Sequence, residues 1–437
     1  MPLVMPFWAN AGVGISSRLA EDAFAKHAAT VRELTQADTP SINNFADPSD
    51  SRGALCARIA DWIGRAPLDP HCASSSRVAP RDVYLYQTGM AAIYFVHKIL
   101  NKWCQTKSKT VMFGIPYCQT THIFEYWGHG FEHLPLGTEF NALEQLVEAE
   151  SRAGTPVVAV WTEFPSNPLL VSSDLRRLRQ LADKYRFALV VDDTIGSFCN
   201  IDMLGVADIS VTSLTKSFSG YADVMGGSAV LYPSSPLHLE LKELFEGLYH
   251  NDLYPADAKV LLDNSADYRS RSRVLNENAA LLVEYLHSLV SDKESSVSRV
   301  YYPTVSPTRA NYDTYKRPQT PEFQPGYGCL FSVEFDSLEA AIAFYNNLHV
   351  HDGPHLGAHL TIALPYVRAV YGEQLEKGEE YGLRQTQIRI SVGLEEPQEL
   401  LQIFRYAIQM ADMAKRNSSV GTHLEILKSK HERLDWS

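Results

Sequence analysis

The sequence predicts an α/β fold with a mainly parallel central sheet covered by helices, followed by a smaller C-terminal α+β domain. Over residues 61–262, short strands that are apolar throughout alternate with segments of helical periodicity, which is typical of a parallel sheet buried on both faces. A long helical stretch then leads into the second domain, over 263–437. The first 60 residues show little periodicity, so we expect an N-terminal arm or interface segment over 1–60.

The α/β region begins with a turn, Gln87-Thr88-Gly89, and a helix. Apolar residues recur there at three- and four-residue steps from Met90 to Trp103. The predicted strands are Thr110–Phe113, Val157–Trp161, Ala188–Val191, Ile209–Ser213 and Gly227–Leu231. Helices are predicted near 120–128, 140–152 and 174–186, the last capped by Ser172 or Ser173.

The C-terminal half starts with one long predicted helix, over 256–290. Its predicted strands are Leu330–Phe335 and Gln387–Val392, and its predicted helices are Leu338–Leu348 and Pro397–Lys415. The loop near 303–328 has little periodicity and is a second candidate for an arm across a subunit interface. We expect the polar tail after Asn417 to fray.

Composition excludes several functional classes. With 45% hydrophobic and 21% charged residues among 437, the chain is not mainly disordered. Its 51 acidic and 39 basic residues give a net charge of −12, which opposes non-specific binding to nucleic acid or an anionic membrane and favours small substrates. Six cysteines without a CxxC pair favour reduced thiols, and no apolar run approaches a membrane span. The N-terminus lacks the pattern of a signal peptide, so we expect a cytoplasmic enzyme.

Two strand ends carry the residues that predict a function. The strand Ala188–Val191 is followed by Asp192, and Ile209–Ser213 is followed by Thr215 and Lys216. Open α/β sheets bind ligands at the C-terminal ends of their parallel strands, so both segments point to one crevice. Pyridoxal 5'-phosphate needs this set of groups. A lysine forms a Schiff base with its aldehyde, a carboxylate keeps its ring nitrogen protonated, and hydroxyl groups bind its phosphate.

A glycine turn supplies a third element of such a site. Gly89 and Met90 open a helix, where backbone N–H groups and the positive end of the helix dipole attract an anion such as phosphate. Each signal is common when it occurs alone, because aspartates often end strands and glycines often precede helices. Their joint order and spacing predict a pyridoxal-phosphate site.

Eight motifs follow one another over about residues 80–415: QTGMAAIY, FGIPYCQTTHIFEYWGHG, TEFPSNPLL, LVVDDTIGSF, ADISVTSLTKSFSGYADVMGGSAV, SPTRANYD, GPHLGAHLTIALPYV and IRISVGLEE. In this order they resemble the cystathionine γ-synthase family, the Cys/Met-metabolism group of fold-type I pyridoxal-phosphate enzymes, and most of all its fungal branch. The resemblance implies a homotetramer, or a tight dimer of dimers, with active sites shared between neighbouring subunits.

The resemblance also implies a role for individual residues. Lys216 becomes the Schiff-base lysine and proton shuttle, and Asp192 becomes the partner of the ring nitrogen. Tyr117 matches the tyrosine that stacks on the cofactor ring and is a candidate for assisting proton transfer. Asn167 matches the residue near the cofactor's 3-oxygen and the substrate carboxylate, which Arg389 binds through its planar guanidinium. The phosphate cradle consists of Gly89, Met90, Ser213 and Thr215.

One departure from the family pattern affects the subunit interface. Bacterial members carry a YxRxxNPT motif whose tyrosine and arginine reach the phosphate of a neighbouring subunit. The nearest counterpart here, Ile42–Ser49, has neither residue in place. Arg18, in the N-terminal arm, is the favoured substitute, with Arg52 and Arg58 as alternatives.

A second departure lies beside the substrate. The family's SLGGxES loop appears as His355–Thr361, so His355 replaces the leading serine. We therefore expect His355 to contact the substrate and the second substrate to differ from that of other members. The neighbouring histidines at 349, 351 and 359 do not indicate a metal, because Asp352-Gly353-Pro354 breaks the helical spacing that such a site needs.

The resemblance implies γ-replacement on an activated L-homoserine ester, most simply O-acetyl-L-homoserine. Removal of the Cα and Cβ protons lets the γ-substituent leave, and a vinylglycine-type ketimine is then open to attack at Cγ. The nucleophile is L-cysteine, which gives cystathionine, or a carbon nucleophile in secondary metabolism. Two alternatives stay open, a carbon-sulfur lyase that eliminates at Cβ or Cγ and a degenerate, non-catalytic subunit.

Overall fold

A computed structural model describes residues 4–27, 50–104, 106–372 and 375–419. Within these residues a seven-stranded sheet has the order β1-β7-β6-β5-β4-β2-β3. Its strands are β1 (Val83–Tyr86), β2 (Thr110–Phe113), β3 (Phe131–Leu134), β4 (Ala159–Glu163), β5 (Ala188–Asp192), β6 (Ile209–Ser213) and β7 (Gly227–Leu231). All neighbours pair in parallel except β7, which runs antiparallel to β6 and to β1. The predicted α/β class with a mainly parallel sheet is therefore confirmed.

Helices cover both faces of this sheet. Along β5, Leu189 and Val191 join one buried apolar cluster, and Ala188 and Val190 join another on the opposite face. The helices of this half, with the N-terminal ones, are α1 (Val4–Ala11), α2 (Ser17–His27), α3 (Ser51–Gly64), α4 (Pro70–Ser75), α5 (Gly89–Trp103), α6 (Thr120–Trp127), α7 (Phe140–Arg152), α8 (Leu175–Tyr185), α9 (His238–Leu248) and α10 (Pro255–Asn264). Burial on both faces is what makes the central strands apolar throughout.

The second sheet has five described strands in the order β10-β11-β12-β9-β8. They are β8 (Val297–Tyr301), β9 (Leu330–Phe335), β10 (His351–Asp352), β11 (Ile362–Leu364) and β12 (Gln387–Ser391). The remaining helices are α11 (Tyr268–Leu289), α12 (Arg309–Tyr315), α13 (Leu338–Asn347), α14 (Tyr366–Tyr371), α15 (Leu375–Glu380) and α16 (Pro397–Ser419). Helices α11, α13 and α16 cover this sheet and share its buried core. This mixed sheet agrees with the α+β class predicted for the C-terminal region.

The predicted cap of α8 is wrong. Asp174, rather than Ser172 or Ser173, is the N-cap, and its carboxylate accepts a hydrogen bond from the backbone N–H of Arg177 at 3.0 Å. A carboxylate at this position also complements the positive end of the helix dipole. Ser173 is instead buried and contacts the hydroxyl of Thr162 at 3.3 Å.

The single helix predicted over 256–290 is also wrong, because a 3₁₀ turn over Ser265–Asp267 separates α10 from α11. Arg271 stabilises the break, since its guanidinium donates to the carbonyl of Asn264 at 3.0 Å and to the carboxylate of Asp267 at 2.7 Å. The same guanidinium also donates to the carbonyl of Ser217 at 3.0 Å. Arg271 therefore ties the break in the helix to the segment that follows Lys216.

The N-terminal region contains more regular structure than its sequence pattern indicates. Helix α3 buries Leu55, Ile59 and Ile63 at four-residue steps and packs on β1 and α10. Ile42–Ser49 lies outside the described residues, as does the tail from 420, so the fraying expected there stays a prediction. The division of the chain at residues 60 and 262 also stays a prediction.

The strand prediction fails at the two edges of the large sheet and where a strand ends in polar residues. The prediction missed β3, an edge strand whose residues are only half-buried, and β1, a four-residue strand. Strand β4 lies two residues further along than predicted, because Thr162 and Glu163 continue it beyond the apolar run. That shift matters for function, since Glu163 thereby becomes a strand end at the ligand-binding edge.

Among the described residues, no helix has both the length and the apolar character needed to cross a membrane.

Candidate active site

A cavity of about 260 Å³ lies at the C-terminal ends of β4, β5 and β6. Parallel pairing brings these ends together, because Glu163 of β4 is the register partner of Asp192 of β5, which in turn pairs with Val211 of β6. The predicted site residues that line it are Gly89, Met90, Tyr117, Asn167, Asp192, Ser213, Thr215, Lys216 and Arg389. Side chains from both sheets therefore line one concave site.

The N-terminus of α5 forms the end of the cavity suited to an anion. Thr88 is the N-cap, and its hydroxyl accepts a hydrogen bond from the N–H of Ala91 at 2.9 Å. The first N–H groups of a helix have no intrahelical partner, so those of Gly89 and Met90 are available to a phosphate. A Cβ at Gly89 would lie 2.7 Å from the Cβ of Ser213, so only glycine lets the helix start so close to β6.

The hydroxyl groups of Ser213, at the end of β6, and of Thr215, just after it, differ in their surroundings. Ser213 lines the cavity beside Gly89, and its backbone N–H donates to the hydroxyl of Thr194 at 2.8 Å. The hydroxyl of Thr215 accepts from the N–H of Gly226 at 3.1 Å and contacts the carbonyl of the same residue at 3.3 Å. Ser213 thus offers the less occupied hydroxyl for a phosphate, and Thr215 also holds the loop in place.

Asp192 presents a carboxylate to the cavity, whereas its neighbour Asp193 does not line it. Asp193 is buried and accepts a hydrogen bond from the hydroxyl of Thr212. The carboxylate of Asp192 accepts from the N–H of Thr194 at 3.0 Å. Burial raises the pKa of Asp192, an effect that this hydrogen bond opposes. A cationic ligand atom beside Asp192 would gain strongly from a carboxylate that water screens so little.

Lys216 is a buried amine that can lose its charge near neutral pH. Burial lowers the pKa of Lys216 to about 8, and the positive charge of Arg389 acts in the same direction. A neutral lysine amine is a nucleophile for an aldehyde. The amine is therefore suited to forming a Schiff base.

Arg389 and Asn167 meet although they come from different sheets. The guanidinium of Arg389 donates to the side-chain oxygen of Asn167 at 3.2 Å and to the carbonyl of Pro354, and it lies 4.1 Å from the centre of the Tyr366 ring. Arg389 is only 3% exposed. No carboxylate within the described ranges forms an ion pair with it. A buried cation of this kind is a favourable partner for the carboxylate of an amino acid.

Glu163 and Tyr366 are two residues in or beside this site that were not predicted from the sequence, and Trp8 of α1 is a third. Glu163 lines the cavity, and its carboxylate accepts a hydrogen bond from the N–H of Tyr117. Burial raises the pKa of Glu163 well above its ordinary value, and the nearby Asp192 acts in the same direction. Tyr366 is buried, and its hydroxyl accepts a hydrogen bond from the amide of Asn167 at 3.1 Å. Both residues stand inside motifs that carry the family resemblance, TEFPSNPLL and ALPYV, which was the available signal.

Tyr117 is 42% exposed and lines the cavity, so one ring face is available for stacking. Trp8 of α1 lines the same cavity, where the sequence indicated only an arm. A Cβ on Gly14 would lie 2.4 Å from the indole of Trp8, so the ring packs closely on this glycine. No pattern in the sequence singles out Trp8.

Two predicted residues do not line the cavity. Arg18 donates to the carboxylate of Asp257 at 3.1 Å and to the carbonyl of Asp223 at 2.9 Å in its own chain, and its proposed contact with a neighbouring subunit stays a prediction. His355 lies with its Nδ1 atom 3.5 Å from the Nζ atom of Lys216. Contact of His355 with the substrate likewise stays a prediction.

The two other candidate arginines have partners within their own chain. Arg52 forms an ion pair with Asp50, and Arg58 donates to the carbonyl of Leu262 and to the hydroxyl of Ser265. Within the ranges described, no three His, Cys, Asp or Glu side chains cluster in a way that could hold a metal ion.

These groups define a site for pyridoxal phosphate. The site offers a buried amine to its aldehyde, a carboxylate to its ring nitrogen, an aromatic ring for stacking and a helix N-terminus to its phosphate. The close approach of Gly89 to Ser213 leaves a cradle without side chains, as a phosphate requires. The protein is thus a pyridoxal-phosphate-dependent enzyme of fold type I.

Comparison with known proteins agrees with the geometry. The family model described as Cys/Met metabolism PLP-dependent enzyme matches residues 78–409. A cystathionine gamma-synthase-like enzyme of Amanita muscaria is 34% identical, over 95% of this chain and 76% of its own length. An alanine racemase of Aspergillus violaceofuscus is 36% identical, over 93% of this chain and 71% of its own. The chain therefore belongs to the Cys/Met metabolism family of PLP-dependent enzymes, and its cofactor is pyridoxal 5'-phosphate.

A solved structure shows the same fold. The cystathionine gamma synthase of Xanthomonas oryzae pv. oryzae, in complex with aminoacrylate and cysteine, superposes with a TM-score of 0.67 over 95% of this chain and all of its own, at 24% identity. The expected family and fold type are confirmed. The roles of the individual site residues stay predictions.

The pKa of Lys216 makes cofactor loading depend on pH. Because the neutral amine attacks the aldehyde, the loading rate of cofactor-free protein should rise about tenfold per pH unit below pH 8 and level off above it. The measurement is the growth of the visible absorbance band after mixing with pyridoxal phosphate between pH 6 and 10. A loading rate that still rises steeply up to pH 10, as an amine with the ordinary lysine pKa of 10.5 would give, would contradict the assignment of a buried amine.

Proposed function

We propose that the enzyme catalyses γ-replacement on O-acetyl-L-homoserine, with L-cysteine or a carbon nucleophile as the second substrate. The observation that carries this proposal is a buried guanidinium, Arg389, that lines the same 260 Å³ cavity as the amine of Lys216. The guanidinium can bind the carboxylate of an α-amino acid. The amine of Lys216 is then a base close to the Cα atom of that amino acid. The name of the Amanita relative supports the γ-synthase class rather than a reaction at another carbon.

The bound cofactor supplies an aldehyde that takes up the substrate amine and a ring that withdraws electrons from the carbons beside it. In this proposal Asp192 keeps the ring nitrogen protonated, and Tyr117 stacks on the ring. Lys216 holds the cofactor before the substrate arrives and afterwards carries protons from Cα and Cβ. Removal of both protons is what lets a substituent on Cγ leave.

Arg389 and Asn167 would hold the substrate carboxylate together. The guanidinium already contacts the side-chain oxygen of Asn167 at 3.2 Å, and Tyr366 fixes the amide of Asn167 from its other side. Because Arg389, Asn167 and Tyr366 hold one another in place, these side chains lose little conformational entropy when the substrate binds. Glu163 orders the backbone of Tyr117 in the same way.

We further propose a cytoplasmic homotetramer, or a dimer of dimers, in which Arg18 reaches the phosphate of a neighbouring subunit. The ion pair between Arg18 and Asp257 leaves this side chain 31% exposed, so it retains surface for a partner. All six cysteines are free thiols, which supports a reducing compartment.

The direct test is to incubate the holoenzyme with O-acetyl-L-homoserine and candidate nucleophiles and to follow acetate and products by mass spectrometry. We expect acetate release together with a γ-substituted amino acid. Release of 2-oxobutanoate or pyruvate without a second substrate would favour the lyase instead. Formation of D-amino acids alone would favour a racemase, and no reaction with any homoserine ester would contradict γ-replacement. An inert protein that also binds no cofactor would support the non-catalytic alternative.

Replacement of Arg389 by alanine should lower kcat/KM for the amino-acid substrate on the order of 100-fold, mainly through KM, because a buried charge-assisted pair is lost. Arg384→Ala is the matched control, since Arg384 is exposed on the segment that leads into β12. The measurement is steady-state kinetics with a fixed second substrate. Equal KM values for R389A and R384A would contradict the carboxylate-binding role.

A further inference from the structure

His355 does not line the cavity but contacts the lysine that does. It stands in the loop between β10 and β11, and its Nδ1 atom lies 3.5 Å from Nζ of Lys216. Its neighbours Pro354 and Leu356 line the cavity, whereas His355 does not. The imidazole therefore contacts the lysine although it does not line the cavity.

Contacts on the C-terminal side of His355 fix its loop against the lysine segment. The N–H of Gly357 donates to the hydroxyl of Ser391 at 2.9 Å, and a Cβ at Gly357 would lie 2.4 Å from the backbone nitrogen of Ser217. Two residues further on, the N–H of His359 donates to the carbonyl of Gly220 at 3.1 Å. The position of the imidazole is therefore set by backbone packing.

The contact on the N-terminal side joins the same loop to the substrate site. The carbonyl of Pro354 accepts a hydrogen bond from the guanidinium of Arg389. His355 is thus held between the carboxylate-binding arginine and the segment that carries Lys216.

The amine of Lys216 has little else to stabilise its charged form. In the part of the chain that the structure describes, Nζ forms no ion pair, and the Nδ1 atom of His355 is its hydrogen-bonding partner. Burial and Arg389 both oppose a positive charge there. A lysine that takes a proton from its substrate nevertheless becomes an ammonium group, which is a donor only and needs an acceptor.

The imidazole can supply that acceptor. Burial lowers the pKa of His355 to about 4, and the charges of Lys216 and Arg389 act in the same direction, so the ring is neutral at physiological pH. A neutral imidazole has one bare nitrogen, and an ammonium donor requires Nδ1 to be that atom. The proton then lies on Nε2, which is buried and has no partner among the described residues.

We propose that the Nδ1 atom of His355 accepts a hydrogen bond from the protonated amine of Lys216, and that it thereby stabilises the state in which Lys216 carries the substrate's proton. In this step the Cα–H bond breaks, the lone pair of Nζ forms the new N–H bond, and the resulting ammonium donates to Nδ1. The electron pair of the broken bond stays with Cα, where the electron-withdrawing ring of the bound cofactor would stabilise it. The proton later returns from Nζ to the substrate, and His355 stays neutral throughout. The inference rests on the proton-carrying role of Lys216 in the proposed function, and it makes His355 a positioning residue rather than a substrate contact.

Substitution of His355 by Asn, Gln or Leu tests whether a hydrogen-bond acceptor is needed at the position of Nδ1. Asn places an oxygen near the position of Nδ1, Gln places one nearer Nε2, and Leu provides no acceptor. His351→Leu is the matched control, because His351 is exposed on β10. Thermal unfolding of each variant checks that the fold is intact. Arg389, Asp192, Glu163 and Tyr117, the charged and titratable groups that face Lys216 in the cavity, are unchanged in every variant.

The first readout needs no substrate. It is the midpoint of the pH dependence of cofactor loading by cofactor-free protein. Loss of a hydrogen bond to the ammonium form lowers the pKa of the lysine, so the midpoint of His355→Leu should fall by about one pH unit. The midpoint of His355→Gln should fall similarly, whereas the midpoints of His355→Asn and His351→Leu should stay close to the wild-type value.

The second readout is exchange of the Cα hydrogen of O-acetyl-L-homoserine in D₂O, followed by mass spectrometry with no nucleophile present. We expect exchange to slow roughly tenfold in His355→Leu and in His355→Gln, and to recover in His355→Asn. This measurement is independent of γ-replacement. Exchange that follows this pattern without any γ-substituted product would support the role of His355 and contradict the proposed function.

Two results would overturn the inference. One is a wild-type midpoint and a wild-type exchange rate in a folded His355→Leu variant. The other is an equal loss in the Asn, Gln and Leu variants, because an acceptor at the Nδ1 position would then not matter.

Discussion

Parallel pairing of β4, β5 and β6 is the constraint on which the whole site depends. It aligns the ends of three buried strands, so Glu163, Asp192 and Ser213 come to one edge of the sheet. A shift of one residue in β5 would turn Asp193 toward the cavity and Asp192 away from it, since side chains alternate along a strand. Such a shift would also move Leu189 and Val191 out of the cluster that they fill and put Ala188 and Val190 toward it, so close packing on both faces opposes the shift.

Residues from the second sheet complete the site that the first sheet forms at its edge. Arg389 of β12 reaches Asn167, which follows β4, and its guanidinium also holds the loop that carries His355. The cavity thus combines an amine and a carboxylate from the large sheet with a cation from the small one. Two positive side chains, Lys216 and Arg389, line the same site, and their mutual repulsion adds to the effect of burial in lowering the pKa of the lysine amine. An amino-acid carboxylate would offset the charge of Arg389.

The fold and the centre of the site were predictable because both arise from local patterns. The central strand β5 is buried on both faces and has a continuous apolar run that ends at Asp192, and Lys216 lies in the segment that follows the neighbouring buried strand β6. The edge strand β3 was not predictable, because its half-buried residues leave no such run. The break between α10 and α11 was not predictable either, since Arg271 stabilises it through contacts with distant backbone.

The site residues that the sequence did not indicate have a similar cause. Glu163 and Tyr366 act on the site through other residues, Tyr117 and Asn167, which a linear pattern does not reveal. The position of His355 depends on how its loop packs on Ser217 and Gly220. The family resemblance in the sequence does not reveal this packing and indicates only a contact with the substrate.

The most direct test of this account is chemical trapping of the cofactor. The holoenzyme is treated with borohydride, digested with a protease, and the labelled peptide is identified by mass spectrometry. We predict a single reduced pyridoxyl label on Lys216, in the peptide that contains Ser213 and Thr215. A label on any other lysine, or a colourless protein that takes up no label, would contradict the account.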